Sequence, residues 1–155
     1  MVEELAEKGD QVSKDCPIVG TLAIDLGSTT TVVAFQSECE SKPVLIELPP
    51  ISRVKGEVPS LVWYSSKEEE EVYLIGQQVL NAGLIGKDNP NLSRDFKRWI
   101  GAPNCPPENY KYLSPERAGE VLIKQIWERI PSHLNVRRLV LSAPIESYRA
   151  YRQWL

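Results

Sequence analysis

The sequence is short of several features that would place it at once in a large class of proteins. No apolar stretch approaches the roughly 20 residues that a transmembrane helix needs. Residues 1–20 carry Glu3, Glu4, Glu7, Lys8, Asp10, Lys14 and Asp15 where a secretory signal would have a basic start and an apolar run. Residues 1–17 therefore read as a solvated, flexible leader on a soluble, cytoplasmic protein that makes no use of a membrane. Basic residues do not dominate: 18 Lys and Arg stand against 21 Asp and Glu, a net charge of -3. That balance argues against the concentrated cationic face that nucleic acid demands. Cysteine is scarce. Cys16, Cys39 and Cys105 are odd in number, widely spaced and without a CxxC pair, so neither a disulfide framework nor a zinc site is indicated and reduced thiols are expected. Histidine is scarcer still, since His133 stands alone after Pro131 and Ser132 and reads as a surface loop residue. No internal repeat or low-complexity tract suggests a solenoid.

What is present is the composition of a globular domain. The 155 residues, 42% hydrophobic and 25% charged, suffice for one compact unit with a real core. Two β-branched, apolar runs, Thr21 to Leu26 and Thr30 to Phe35, flank a Gly27-Ser28-Thr29 turn, which is hairpin chemistry. Val44 to Leu48 extends the sheet. After Pro49, Pro50 and Gly56 break the pattern, Val58 to Tyr64 and Glu71 to Ile75 are further strands around a charged tip at Lys67 to Glu70. Gln77 to Ala82 reads as a short helix ended by Gly83, and Leu92 to Ile100 as a second one stopped by Gly101. Pro103, Pro106 and Pro107 make Ala102 to Asn109 a loop.

Ser114-Pro115-Glu116 is the strongest helix start in the chain. Serine caps exposed amides, proline suits the first turn and glutamate suits the positive helix end. The helix should run to about Arg129, with Ala118, Val121, Leu122, Gln125, Ile126 and Ile130 forming one face against the sheet. Arg137 to Ser142 is then a strand with a buried Leu139-Val140-Leu141 centre, parallel to its neighbour because a helix precedes it. From Glu146 helical composition resumes. Tyr148, Tyr151, Trp154 and Leu155 give that helix an exposed apolar character, and the absence of a Gly or Asn cap reads as truncation within the helix. The fold class is α/β, a mixed sheet with helices.

The turn at Gly27 carries the chemistry. A bend that grips phosphate must bring backbone amides close to an anion, which calls for a residue without Cβ and for neighbouring hydroxyls. Gly27, Ser28, Thr29 and Thr30 meet both needs. Asp25, just before the bend, stands where a carboxylate could hold the water shell of a phosphate-bridging Mg ion. The same residues also make an ordinary β-turn, and the motif alone leaves both readings open.

Several segments, in order, resemble the seventy-kilodalton heat-shock protein family, the DnaK-type molecular chaperones. They are Ile24-Asp25-Leu26-Gly27-Ser28-Thr29, Val58-Pro59-Ser60-Leu61-Val62, Ile75-Gly76-Gln77-Gln78-Val79, Phe96-Lys97-Arg98-Trp99-Ile100-Gly101, Ser114-Pro115-Glu116 and Val140-Leu141-Ser142-Ala143-Pro144. The resemblance implies the first half, lobe I, of an actin-like, ribonuclease-H-like ATPase domain over residues 18–155, with a small inserted subdomain at about 50–113. It implies ATP or ADP with Mg as ligands. Asp25 would organise the metal through water, and Gly27, Ser28, Thr29 and Thr30 would cradle the phosphates. Lys97 would reach the γ-phosphate and position the attacking water; by composition alone it reads as a solvated helix residue. Pro144 and Arg152 match the family's interdomain switch.

The chain departs from the family in a trimmed loop at Ala102 to Leu113, in Ser28 for the first turn threonine and in Thr30 after the phosphate threonine. The family's second phosphate loop, adenosine-binding half and peptide-binding domain would all follow Leu155, so ATP hydrolysis is not expected of this chain alone. A second chain supplying the rest of the ATPase domain is the implied partner, with unfolded proteins and co-chaperones as partners only of a complete protein. Two other readings stand beside this one. One is a non-catalytic interaction module that docks through the C-terminal helix. The other is a different actin-like ATPase or kinase, such as an acyl-dehydratase activator, although that would want cluster-binding cysteines.

Overall fold

A computed structural model describes residues 17–67, 70–86, 89–102, 110–143 and 148–155. β1 (Ile18–Asp25) and β2 (Thr30–Ser37) form an antiparallel hairpin with Asp25 opposite Val32 and Ala23 opposite Ala34. Alternate residues of the pair, Leu22, Ile24, Val33 and Phe35, are buried, as the period of two in a half-buried sheet requires. β3 (Val44–Leu45) and β4 (Glu57–Pro59) both pair with β2, at different heights. β8 (Leu134–Leu141) pairs with β1 in parallel, so the sheet is mixed, in the order β3-β2-β1-β8. A second, antiparallel sheet, β6-β5-β7, is built from β5 (Leu61–Lys67), β6 (Glu70–Ile75) and β7 (Leu92–Arg94). The architecture is therefore α/β with a mixed sheet.

The helix start at Ser114 is realised: its Oγ accepts from the Arg117 amide at 3.2 Å, with Pro115 opening α2 (Pro115–Trp127). Ala118, Val121, Leu122 and Ile126 form its buried face. That face meets a 3₁₀ turn at Phe96–Trp99 and the β5–β6 hairpin, inside one continuous core shared with Leu22, Ile24, Val33 and Phe35. Each such aliphatic side chain contributes roughly 1.5–3 kcal/mol when fully buried. α1 (Gln77–Asn81) is short, as read from the sequence, and Gly83 follows at φ 67°.

Several expectations are corrected. Leu92 to Ile100 is not a helix. Leu92 and Ser93 are drawn into β7 by pairing with Trp63 and Val62, and Asp95 then takes a left-handed conformation (φ 56°) that separates the strand from the 3₁₀ turn. The run Val58 to Tyr64 is not one strand, because the chain changes sheets at Ser60. Pro59 has no N–H to continue a ladder, and β4 ends there on β2 while β5 opens the second sheet. Strand β3 stops at Leu45, and only Ile46 and Leu48 of the expected remainder are buried. In β8, Leu139 and Val140 are 45% and 54% exposed. They lie on the outermost strand of the sheet, where the expected burial has no second neighbour among the described residues.

The C-terminal helix α3 (Tyr148–Trp154) is also not an exposed apolar element. Tyr151 is 1% exposed, its ring centroid is 5.2 Å from that of Trp154, and the Trp154 Nε1 donates to the Glu116 carbonyl at 3.1 Å. Trp154 also lies so close to Gly119 that a Cβ there would come within 2.5 Å of its ring. Leu155 remains half exposed. The expected loop at 103–109, Pro144, Cys16 and Cys105 lie outside the described residues. Among the described residues, no helix is long and apolar enough to cross a membrane, and Cys39 is an exposed free thiol.

Candidate functional site at the Gly27 bend

The bend between β1 and β2 is shaped by what Gly27 lacks. A Cβ on this residue would stand 2.1 Å from the Thr30 carbonyl oxygen, a backbone atom that cannot yield like a flexible side chain. The close approach holds the loop tight. Across the bend lies Ser60, 1% exposed, at the point where the chain passes from one sheet to the other. Its Oγ donates to the Gly27 carbonyl at 2.8 Å and lies 2.9 Å from Thr31 Oγ1, while its amide donates to the Thr29 carbonyl at 2.9 Å. Ser60 has one hydroxyl proton, and the Gly27 carbonyl takes it, so Thr31 is the donor in the buried hydroxyl pair.

With these carbonyls occupied, the amides are left over. The N–H groups of Gly27, Ser28 and Thr29 donate to no acceptor among the described residues, and Thr29 is exposed while Gly27 and Ser28 are half-buried. The bend is thus neither buried nor consumed by sheet pairing, and it can offer donors to an anion. On the Ser60 side of the bend, Ser28, Thr29 and Thr30 line a cleft of about 390 Å³ together with Arg53, Arg94 and Asp95. Arg53 is paired with Glu57 at 2.6 Å; Arg94 has no ion-pair partner among the described residues.

Asp25 ends β1 with its carboxylate exposed. Ser142, just past β8, donates its hydroxyl to Asp25 Oδ1, and the Ser142 amide bonds the Ile24 carbonyl at 3.2 Å. The parallel register of β1 and β8 creates this contact by setting Ile24 beside Leu141. Burial pushes the Tyr151 hydroxyl up to about 12, and the negative charge of Asp25 adds to the rise. Tyr151 therefore stays neutral beside the carboxylate throughout the physiological range.

Lys97 belongs to a different piece of structure. It sits half-buried on the 3₁₀ turn, which Phe96 and Ile100 anchor in the core, and it has no ion-pair partner among the described residues. Neither Lys97 nor Asp25 lines the cleft beside the bend. The link between them is α3. Gly101, at φ 72°, lies against Ala150 so closely that a Cβ would come within 2.5 Å of that side chain, and one residue later Tyr151 meets the field of Asp25. Glu116 Oε1 fixes the Gly101 amide at 2.8 Å. Arg152 is exposed on the same helix.

The structure thus gathers Asp25, the Gly27 to Thr30 bend, Ser60, Ser142 and Tyr151, and holds Lys97 on a neighbouring element. Ser60, Ser142 and Tyr151 were not singled out as site residues from the sequence. A hydroxyl set between Pro59 and an apolar strand was the available signal for Ser60. Among the described residues, no group of three or more His, Cys, Asp or Glu side chains converges as a metal cage. Compared with models of known protein families and with curated proteins, the chain matches none.

Proposed function

We propose that this chain is a lobe of an actin-like ATPase of the seventy-kilodalton heat-shock type, and that its Gly27 bend binds the Mg-bound phosphates of ATP or ADP. The observation that carries the reading is the set of unspent amides at Gly27, Ser28 and Thr29 on a bend too tight for any side chain at Gly27. The residues present fit the ligand: hydroxyls flank the amides, and beyond the Ser142 hydrogen bond the Asp25 carboxylate has no hydrogen-bond or ion-pair partner among the described residues. Asp25 would hold Mg through water, as suits a metal that keeps most of its hydration shell. Bound there, Mg would neutralise charge on the phosphate oxygens.

The chain's own residues then have separate tasks. The bend amides and the Ser28, Thr29 and Thr30 hydroxyls orient phosphate, and Lys97 supplies a positive charge from the second element. Such positioning and charge neutralisation are what phosphoryl transfer asks of a protein. Hydrolysis needs an opposing wall that excludes water, so this lobe alone binds weakly and turns over poorly. Outer strand β8, with Leu139 and Val140 exposed, suits a sheet completed by further structure, either a partner chain or another part of a longer protein. In the assembled ATPase, Pro144 and Arg152 would relay nucleotide state to a substrate-binding domain, with unfolded proteins and co-chaperones as partners in a cytoplasm.

Calorimetric titration with Mg-ATP tests the reading. Weak binding that disappears in EDTA and in Asp25→Ala is expected. No heat at millimolar Mg-ATP, or binding indifferent to both changes, would remove it.

A further inference from the structure

Ser60 is placed to do more than fill a buried polar position. A trans peptide is planar, so its C=O and N–H point in opposite directions. The Ser60 hydroxyl holds the Gly27 carbonyl at 2.8 Å, and therefore turns the Ser28 N–H away from Ser60. The Ser60 amide holds the Thr29 carbonyl at 2.9 Å, and by the same rule turns the Thr30 N–H away. One residue thus fixes two peptide planes of the bend, and its hydroxyl is itself oriented by buried Thr31 at 2.9 Å.

We infer that Ser60 is a positioning residue that, through its hydroxyl, aims the unspent Ser28 amide at a terminal phosphate. The ligand part of this inference rests on the phosphate-binding reading above; the aiming of the amide does not. Ser60 itself donates to protein carbonyls and offers nothing to the ligand. Its effect is preorganisation: donors already aligned need no reordering when an anion arrives.

Two variants separate positioning from plain structural support. Ser60→Ala and Thr31→Val both abolish the buried hydroxyl pair, but only Ser60→Ala removes the hydrogen bond to the Gly27 carbonyl. Backbone ¹⁵N relaxation without ligand should show the Ser28 amide becoming mobile on the ps–ns timescale in Ser60→Ala, whose retained backbone amide still holds the Thr29 carbonyl, and staying near wild type in Thr31→Val. Mg-ATP should bind Ser60→Ala roughly tenfold more weakly, in keeping with the loss of a well-aimed hydrogen bond to a charged group. Equal Ser28 amide mobility in wild type and Ser60→Ala would overturn the inference, as would equal changes in both variants. Should Ser60→Ala not fold, Ser60→Cys keeps the shape with a weak donor and decides by the same relaxation readout. If wild type shows no response to Mg-ATP, the phosphate reading fails, while the relaxation comparison still decides whether Ser60 aims the Ser28 amide.

Discussion

The bend after β1 is held by hydrogen bonds, whereas the segment that carries Lys97 is held by packing. At the bend, Ser60 secures the Gly27 and Thr29 carbonyls, and no residue from Gly27 to Thr30 belongs to the buried core. At the Lys97 segment, Phe96 and Ile100 are buried, and Gly101 is wedged against Ala150 of α3. The difference teaches that the two ends of the candidate site can fail independently. The bend can lose its aim while the domain stays folded; the Lys97 segment can move only if the core moves with it.

The largest expected effect breaks the packed end. Phe96→Ala should cost about 3–5 kcal/mol, the usual range for a fully buried phenylalanine, and urea unfolding would read it. A cost below about 1 kcal/mol would mean that the segment is not anchored as described. Gly27→Ala strikes the other end. The clash with the Thr30 carbonyl should cost roughly 2 kcal/mol through local backbone strain, with amide shift changes concentrated near the bend rather than spread through the core.

A smaller effect tests the link through Tyr151. Its folded hydroxyl is pushed up to about 12 by burial and by Asp25, whereas an unfolded tyrosine ionises near 10. The stabilising contribution is therefore complete below pH 10 and is lost as pH rises from 10 towards 12. Tyr151→Phe should flatten the fall of stability in that window alone; denaturant midpoints measured across it should differ in slope between the two proteins. The smallest effect sharpens the contrast within one segment. Lys97 has no ion-pair partner among the described residues, so Lys97→Ala should change stability by less than about 0.5 kcal/mol in the same assay that registers Phe96→Ala.

Legibility in the sequence followed how local the deciding physics was. The hairpin flanking Gly27 and the Ser114 cap were readable because alternation, turn chemistry and capping act within a few residues. β7 was missed because Leu92 and Ser93 become strand only by meeting Val62 and Trp63, far away in the chain. The sheet change at Ser60 was hidden in an apolar run, although Pro59 marked where a ladder had to stop. Exposure of Leu139 and Val140 depends on which strand is outermost, and composition does not report that. In the candidate site, Asp25 and the bend were readable as a motif. Ser142 reaches Asp25 through the parallel register of β8, and the packing of α3 brings buried Tyr151 within the field of that carboxylate; neither is local.

The most direct measurement is a pair of ¹H–¹⁵N spectra of the uniformly labelled chain, without and with millimolar Mg-ATP. If the bend holds phosphate, the largest shifts fall on the amides of Gly27, Ser28, Thr29 and Thr30. An unchanged bend, or shifts confined to other parts of the chain, would contradict phosphate binding there.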